Sequence, residues 1–186
     1  MNEKTHSTAY RVALGGVSSS LALVIMVMTG VMPAFYIILP MICGLLIKII
    51  AMEISVPWAT LTYIAVSFLS IFINPNIEGT LIFILFFGIY PVLQVFFDKI
   101  KNDYFRIPLK LIFFAAIAIT DYQITVFILG VEESLDNMPQ FLWWVSAYWK
   151  QVFICLFVFF FSYYDAAITY FGNIYHKKLR RKFFKT

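Results

Sequence analysis

Charge is what this sequence withholds. Residues 12–47, 54–77 and 79–97 contain no Asp, Glu, Lys or Arg. Only 13% of the 186 residues are charged, against roughly a quarter in an ordinary soluble domain. No polar stretch is long enough to hold a separate soluble domain, so one membrane domain over 1–186 is the economical reading. Cysteine is scarce as well. Cys43 and Cys155 lie alone in apolar runs, which excludes a disulfide framework or a zinc cluster and leaves both as small core residues. Histidine is confined to His6 and His176, near the ends. With no HExxH, no phosphate-binding glycine loop and no metal-ligand spacing, neither an enzyme nor a metal or cofactor site is expected. A cleavable signal peptide is not expected either, because the first apolar run is too long and others follow it.

What the sequence has in excess is apolar surface. Hydrophobic residues make up 62%, with 21 Phe and a mean hydropathy of +0.86. About 20 apolar residues cross a hydrocarbon core as a helix. The runs predict an all-α integral membrane protein, a bundle of six transmembrane helices at 12–32, 35–52, 57–74, 80–97, 109–131 and 150–171. The last of these could begin as early as Phe141. Pro33 closes the first helix, Pro40 falls inside the second, Pro57 opens the third, Asn74-Pro75 ends it, and Pro91 predicts a kink in the fourth.

The few charges are distributed asymmetrically. Lys4 and Arg11 precede the first run, and Lys48 and Glu53 close the second. Lys99, Lys101, Arg106 and Lys110 join the fourth run to the fifth, and the tail 172–186 adds Lys177, Lys178, Arg180, Arg181, Lys182 and Lys185. With six spans all of these share one side. The other side offers Glu78, Glu132, Glu133 and Asp136, with Lys150 its one cation. Lys and Arg collect on the cytoplasmic side, so both termini are expected there, in a cell membrane. The net charge of +4 comes mostly from the tail. It points to orientation and anionic membrane lipids rather than to nucleic acid.

Polar groups inside apolar runs are costly and are functional candidates by default. Asp121 lies mid-run in Thr120-Asp-Tyr-Gln123, as a ligand for a substrate or ion, with Gln123 and Tyr122 beside it, or as a structural contact to Lys150 or a tyrosine. Tyr148, Trp149, Lys150 and Gln151 end an aromatic cluster that reads either as an interfacial belt with a snorkelling lysine or as the wall of an outward-facing site. Lys48 and Asp165 stand at matching depth and suggest a structural ion pair. Asp121 and Asp165 stand at different depths, which argues against a shared-proton protease dyad. On the first helix, Gly15 with Ser19 and Gly16 with Ser20 form small-residue faces, suited to packing within the bundle or to docking another membrane subunit.

The stretch from Arg11 to Met26, Arg-Val-Ala-Leu-Gly-Gly-Val-Ser-Ser-Ser-Leu-Ala-Leu-Val-Ile-Met, resembles the opening helix of substrate-binding S components of energy-coupling factor transporters. Size, helix number and terminus placement are similar too. Leu81 to Pro91 is similar to a bacterial membrane family of unassigned function and the same fold. The resemblance implies a subunit that captures a vitamin-like micronutrient and docks on a transmembrane coupling subunit driven by ATPase subunits. It implies a docking role for the small face, where glycine and serine at 15, 16, 19 and 20 replace the family's usual alanines. It also implies a pocket drawing on Tyr36 in the first outer loop, Asp121, Gln123, Tyr148, Trp149 and Lys150. The competing expectation is a non-transporting scaffold of the bacterial cell envelope with a similar six-helix fold.

Overall fold

A computed structural model describes residues 7–100, 102–129 and 143–175. Every regular element among them is helical. The helices fall into two compact units that divide between Lys99 and Ile100.

The first unit begins with α1 (Thr8–Val31), whose first turn is capped by Ser7 accepting from the Tyr10 amide. A 3-10 turn at Pro33–Phe35 leads into α2 (Ile38–Glu53). Pro40 is therefore the third residue of α2 rather than an interior one. A first-turn amide has no intrahelical acceptor, so a proline there removes nothing. Then come α3 (Val56–Ile73), with Pro57 in its first turn, and α4 (Ile77–Ile82). Asn76 caps α4 by accepting from the Gly79 amide at 2.7 Å, and Glu78 sits where the helix dipole favours an acid. α2 is central to this unit: it packs on α1, α3 and the fourth span.

The fourth span is broken. A π-helical turn, Phe83–Phe87, follows α4, and α5 (Tyr90–Phe97) restarts after Gly88-Ile89. Pro91 brings no N–H and its ring crowds the carbonyl four residues back, but the deformation reaches about one turn further upstream, to Phe83. Gly88 N donates to Phe83 O at 2.7 Å instead of to Ile84 O, and the Tyr63 hydroxyl donates to Ile84 O at 2.9 Å. A π turn strands a carbonyl; here α3 supplies the replacement donor. Gly88 is required at this contact, since a Cβ there would stand 2.7 Å from Tyr63 Cδ2 and 2.9 Å from Phe83 Cζ.

The second unit pairs α6 (Asp103–Leu129) with α7 (Trp143–Ile174). Lys110 meets Asp165 and Phe114 meets Phe161 edge to face at 6.0 Å, so partners run in opposite order and the helices are antiparallel. Lys110, Phe114, Ala118, Asp121 and Tyr122 are buried on α6; Phe161, Tyr164, Ile168, Gly172 and Tyr175 are buried around α7 and its end. Apart from the adjacent Asp121 and Tyr122, both sets step by three and four, the spacing of a two-helix seam. Tyr148 leaves helical geometry (φ −117°, ψ 17°) and breaks α7 near its start.

Among the described residues, five helical stretches are long and apolar enough to cross a membrane: Thr8–Val31, Val56–Ile73, Ile77–Phe97, Tyr104–Ile124 and Ile154–Ile174. α2 has 16 residues, about 24 Å at roughly 1.5 Å per residue. Their outward faces carry large apolar groups such as Val17, Val24, Ile71, Phe72, Ile112 and Phe159, the surface expected of helices whose solvent is lipid. Cys43 is in the core, its Sγ 3.4 Å from Ala22 O. Cys155 is exposed, contrary to its reading as a core residue, because it falls on the outward side of α7. The tail 176–186 and the connection 130–142, with Glu132, Glu133 and Asp136, lie outside the described residues.

Gly88→Ala is expected to destabilise the protein by about 1–3 kcal/mol through overpacking. Gly16→Ala, with nothing within 4 Å of the new methyl, is expected to be neutral. Thermal unfolding of the purified variants in one detergent checks both.

Candidate functional site

Asp121 is 4% exposed and sits on the α6 face turned to α7. Gln123, two residues on and so about 200° around the helix, is exposed. One helix face therefore cannot present both to a common ligand. Tyr148 is 58% exposed at the break in α7. The side chains of Trp149 and Lys150 lie outside those described. Tyr36 is half-buried in the turn before α2 and belongs to the first unit, whereas Asp121, Gln123 and Tyr148 belong to the second.

Lys48 and Asp165, expected to pair with each other, fall in different units, and each has a partner within its own. Lys48 Nζ donates to Gln94 Oε1 on α5 at 2.7 Å, with Gln94 fully buried. Lys110 Nζ donates to both Asp165 carboxylate oxygens at 2.9 Å. Matching depth could not select Lys110, which the sequence reading assigns to a connection. α6 starts at Asp103 and not at Leu109, so Lys110 is its eighth residue rather than its second, and it is buried. The same holds for Lys48 and Glu53, which belong to α2 and are buried there. Lys110 precedes Asp121 by eleven residues, about 16 Å of helix. The carboxylates of Asp165 and Asp121 thus act at different levels of the seam, as their sequence positions suggest.

The small-residue faces of α1 diverge. Gly15, Ser18 and Ala22 are buried, with Gly15 against Thr62 and Trp58 of α3. Gly16 and Ser20 are exposed, and Ser19 is half-buried. The hydroxyls of Ser19 and Ser20 donate to the carbonyls of Gly15 and Gly16 at 2.8 and 2.9 Å. The Gly16–Ser20 face is thus shallow and internally hydrogen-bonded.

A polar knot that the sequence reading does not anticipate joins α1 to the corner between α3 and α4. Asn74 Nδ2 donates to Thr29 Oγ1 at 3.0 Å and to Thr80 Oγ1 at 2.9 Å. Asn76 N donates to Asn74 Oδ1 at 3.1 Å, and Asn76 Nδ2 to Thr29 O at 3.3 Å. Thr29 and Asn74 are buried, and a Cβ on Gly30 would overlap the Pro75 ring. Asn-Pro-Asn reads in sequence only as a helix stop; its bonds to Thr29 span 45 and 47 residues and leave no local pattern. The arrangement is internally hydrogen-bonded and holds this corner of the first unit together rather than offering groups to a ligand.

Comparison of the chain with family models, with curated proteins and with solved structures finds no match. The assignment of function therefore rests on geometry.

Two outcomes follow from these contacts. Asn74→Ala, which leaves Thr29 and Thr80 short of a buried partner, is expected to lower stability by about 1–2 kcal/mol, measured by chemical unfolding in micelles. Lys110→Met is expected to cost about 3 kcal/mol by stranding Asp165, with most of the loss recovered in Lys110→Met/Asp165→Leu; a double-mutant cycle reads the recovery.

Proposed function

We propose that this chain is the substrate-binding membrane subunit of a micronutrient importer, with six spans, both termini cytoplasmic, in a bacterial cell membrane. The observation that carries the reading is the exposed Gly16–Ser20 face of α1. Packing within the bundle uses Gly15, Ser18 and Ala22, so the second small face is spare. A shallow, hydrogen-bonded helix face allows another helix close approach in lipid, which suits docking on a coupling subunit that carries ATPases. Asp121, buried within an apolar helix, supports a binding role, since a carboxylate removed from water there is expensive to retain. The sixth span in this reading is α2, whose central packing and apolar sequence favour a crossing despite its 16 residues.

The separation of Asp121 from Gln123 favours a second reading, a non-transporting scaffold of the cell envelope, in which Asp121 is a structural contact of the hairpin. The two readings part in one experiment. Native mass spectrometry of the gently purified protein is expected to find a retained small molecule and co-purifying subunits. Ser20→Trp is expected to abolish the co-purification while leaving the small molecule in place, and Asp121→Ala to weaken ligand retention at least tenfold in a protein that still elutes as a monodisperse peak. A scaffold would retain no ligand in either form.

A further inference from the structure

The fourth span is tied down in each half and weakly joined between them. Its first half is anchored by polar contacts: Asn74 Nδ2 reaches Thr80 Oγ1, and Asn76 caps α4. Its second half, α5, is anchored by Gln94, fully buried, which accepts from Lys48 at 2.7 Å. Between the anchors the α-helical ladder is incomplete. Gly88 N bonds five residues back, to Phe83 O. Pro91 has no N–H to give Phe87 O. Val92 N, which an unbroken helix would direct to Gly88 O, bonds to Ile89 O at 3.1 Å.

The break is held by a neighbouring helix. Tyr63 of α3 lies against Gly88, where a Cβ would overlap its ring. Its hydroxyl donates to Ile84 O at 2.9 Å, the carbonyl that Gly88 N would take in an α-helix. The Ser67 hydroxyl, one turn further along α3, hydrogen-bonds to Tyr63.

The same groups can be paired a second way. When Tyr63 gives its proton to Ser67 Oγ, Ile84 O is released to take Gly88 N, and Phe83 O to take Phe87 N. Ser67 then returns its own proton to the carbonyl four residues back, as Thr60, Thr62, Ser162 and Thr169 do at 2.8–3.0 Å. Neither pairing strands a buried group, which is what a helix in lipid requires. The two differ in register. A π turn holds about one residue more than an α turn, so its closure turns the following helix by about 100°. α5 is the part that turns, because α4 is fixed by Asn74 and Asn76 and the joint at Gly88–Pro91 lacks the rungs that would resist. Gln94 then leaves Lys48.

We propose that Tyr63 is the latch of a register switch in the fourth span. Its bond to Ile84 O holds the π turn and keeps Gln94 on Lys48; its release lets the turn close to α and rotates α5. What the switch changes is the surroundings of Lys48, a buried cation. All of these residues belong to the first unit, and the switch does not depend on the importer reading.

The test measures where α5 stands. Nitroxide labels are attached at Leu61→Cys on α3 and Phe96→Cys on α5, both exposed positions, in the full chain in detergent with Cys43→Ala and Cys155→Ala. Pulsed electron double resonance is expected to give a single main distance while Tyr63 is present. Tyr63→Phe keeps the ring and removes the hydroxyl. It is expected to bring in a distance displaced by about 5 Å or more, while a reference pair at Val17→Cys and Leu61→Cys stays in place. Deleting Leu85 from the Tyr63→Phe chain removes the extra residue of the π turn without rotating α5, and is expected to restore the original distance. Should Tyr63→Phe aggregate, Gly88→Ala carries the same expectation, since its methyl displaces the Tyr63 ring. An unchanged Leu61–Phe96 distance in the folded variant would mean that the hydroxyl only satisfies a carbonyl, and would overturn the switch. So would a displaced distance that deletion of Leu85 fails to restore.

Discussion

Every polar group of these helices must find its partner within the protein, because the outward surface is apolar almost throughout. That constraint organises both units. In lipid an unmet backbone or side-chain group costs several kcal/mol, so polar residues are turned inward and joined across helices. Lys110 grips Asp165, Lys48 grips Gln94, and Asn74 gathers Thr29 and Thr80. Even the backbone irregularity obeys it: the carbonyl stranded by the π turn is taken by Tyr63 from a neighbouring helix. Such contacts fix register where oily side chains cannot, since lipid competes with apolar packing on equal terms.

The helical class was legible from the long apolar runs, and five of the expected spans correspond to helices long and apolar enough to cross a membrane. Long apolar stretches bounded by Pro33, Asn74-Pro75 and the basic connections leave few alternatives. The finer features depend on contacts between residues far apart. Pro91 signals a deformation, but its position upstream at Phe83–Phe87 is set by Tyr63 and Gly88, which lie 25 residues apart. Lys110 reads as a connection cation because the fifth run is placed from Leu109, whereas the helix already runs from Asp103. Asp121 stood out because one acid in an apolar run is conspicuous.

The candidate site is correspondingly uneven. Tyr36 and Asp121 belong to different units, and Gln123 points away from Asp121, so the ligand set suggested by family resemblance is not assembled by any contact described here. The exposed Gly16–Ser20 face and the buried Asp121 are the features on which the proposed importer reading rests.

All of this presumes that α2, 16 residues long, crosses the bilayer like the five longer spans. Placing an impermeant-reagent-accessible cysteine or a protease site at each end of the full chain, in intact cells and in inverted vesicles, decides it. Both ends reacting only in inverted vesicles is the expected result. Ends that report from opposite faces would make the number of crossings odd, remove α2 from the bilayer-spanning set, and contradict the account.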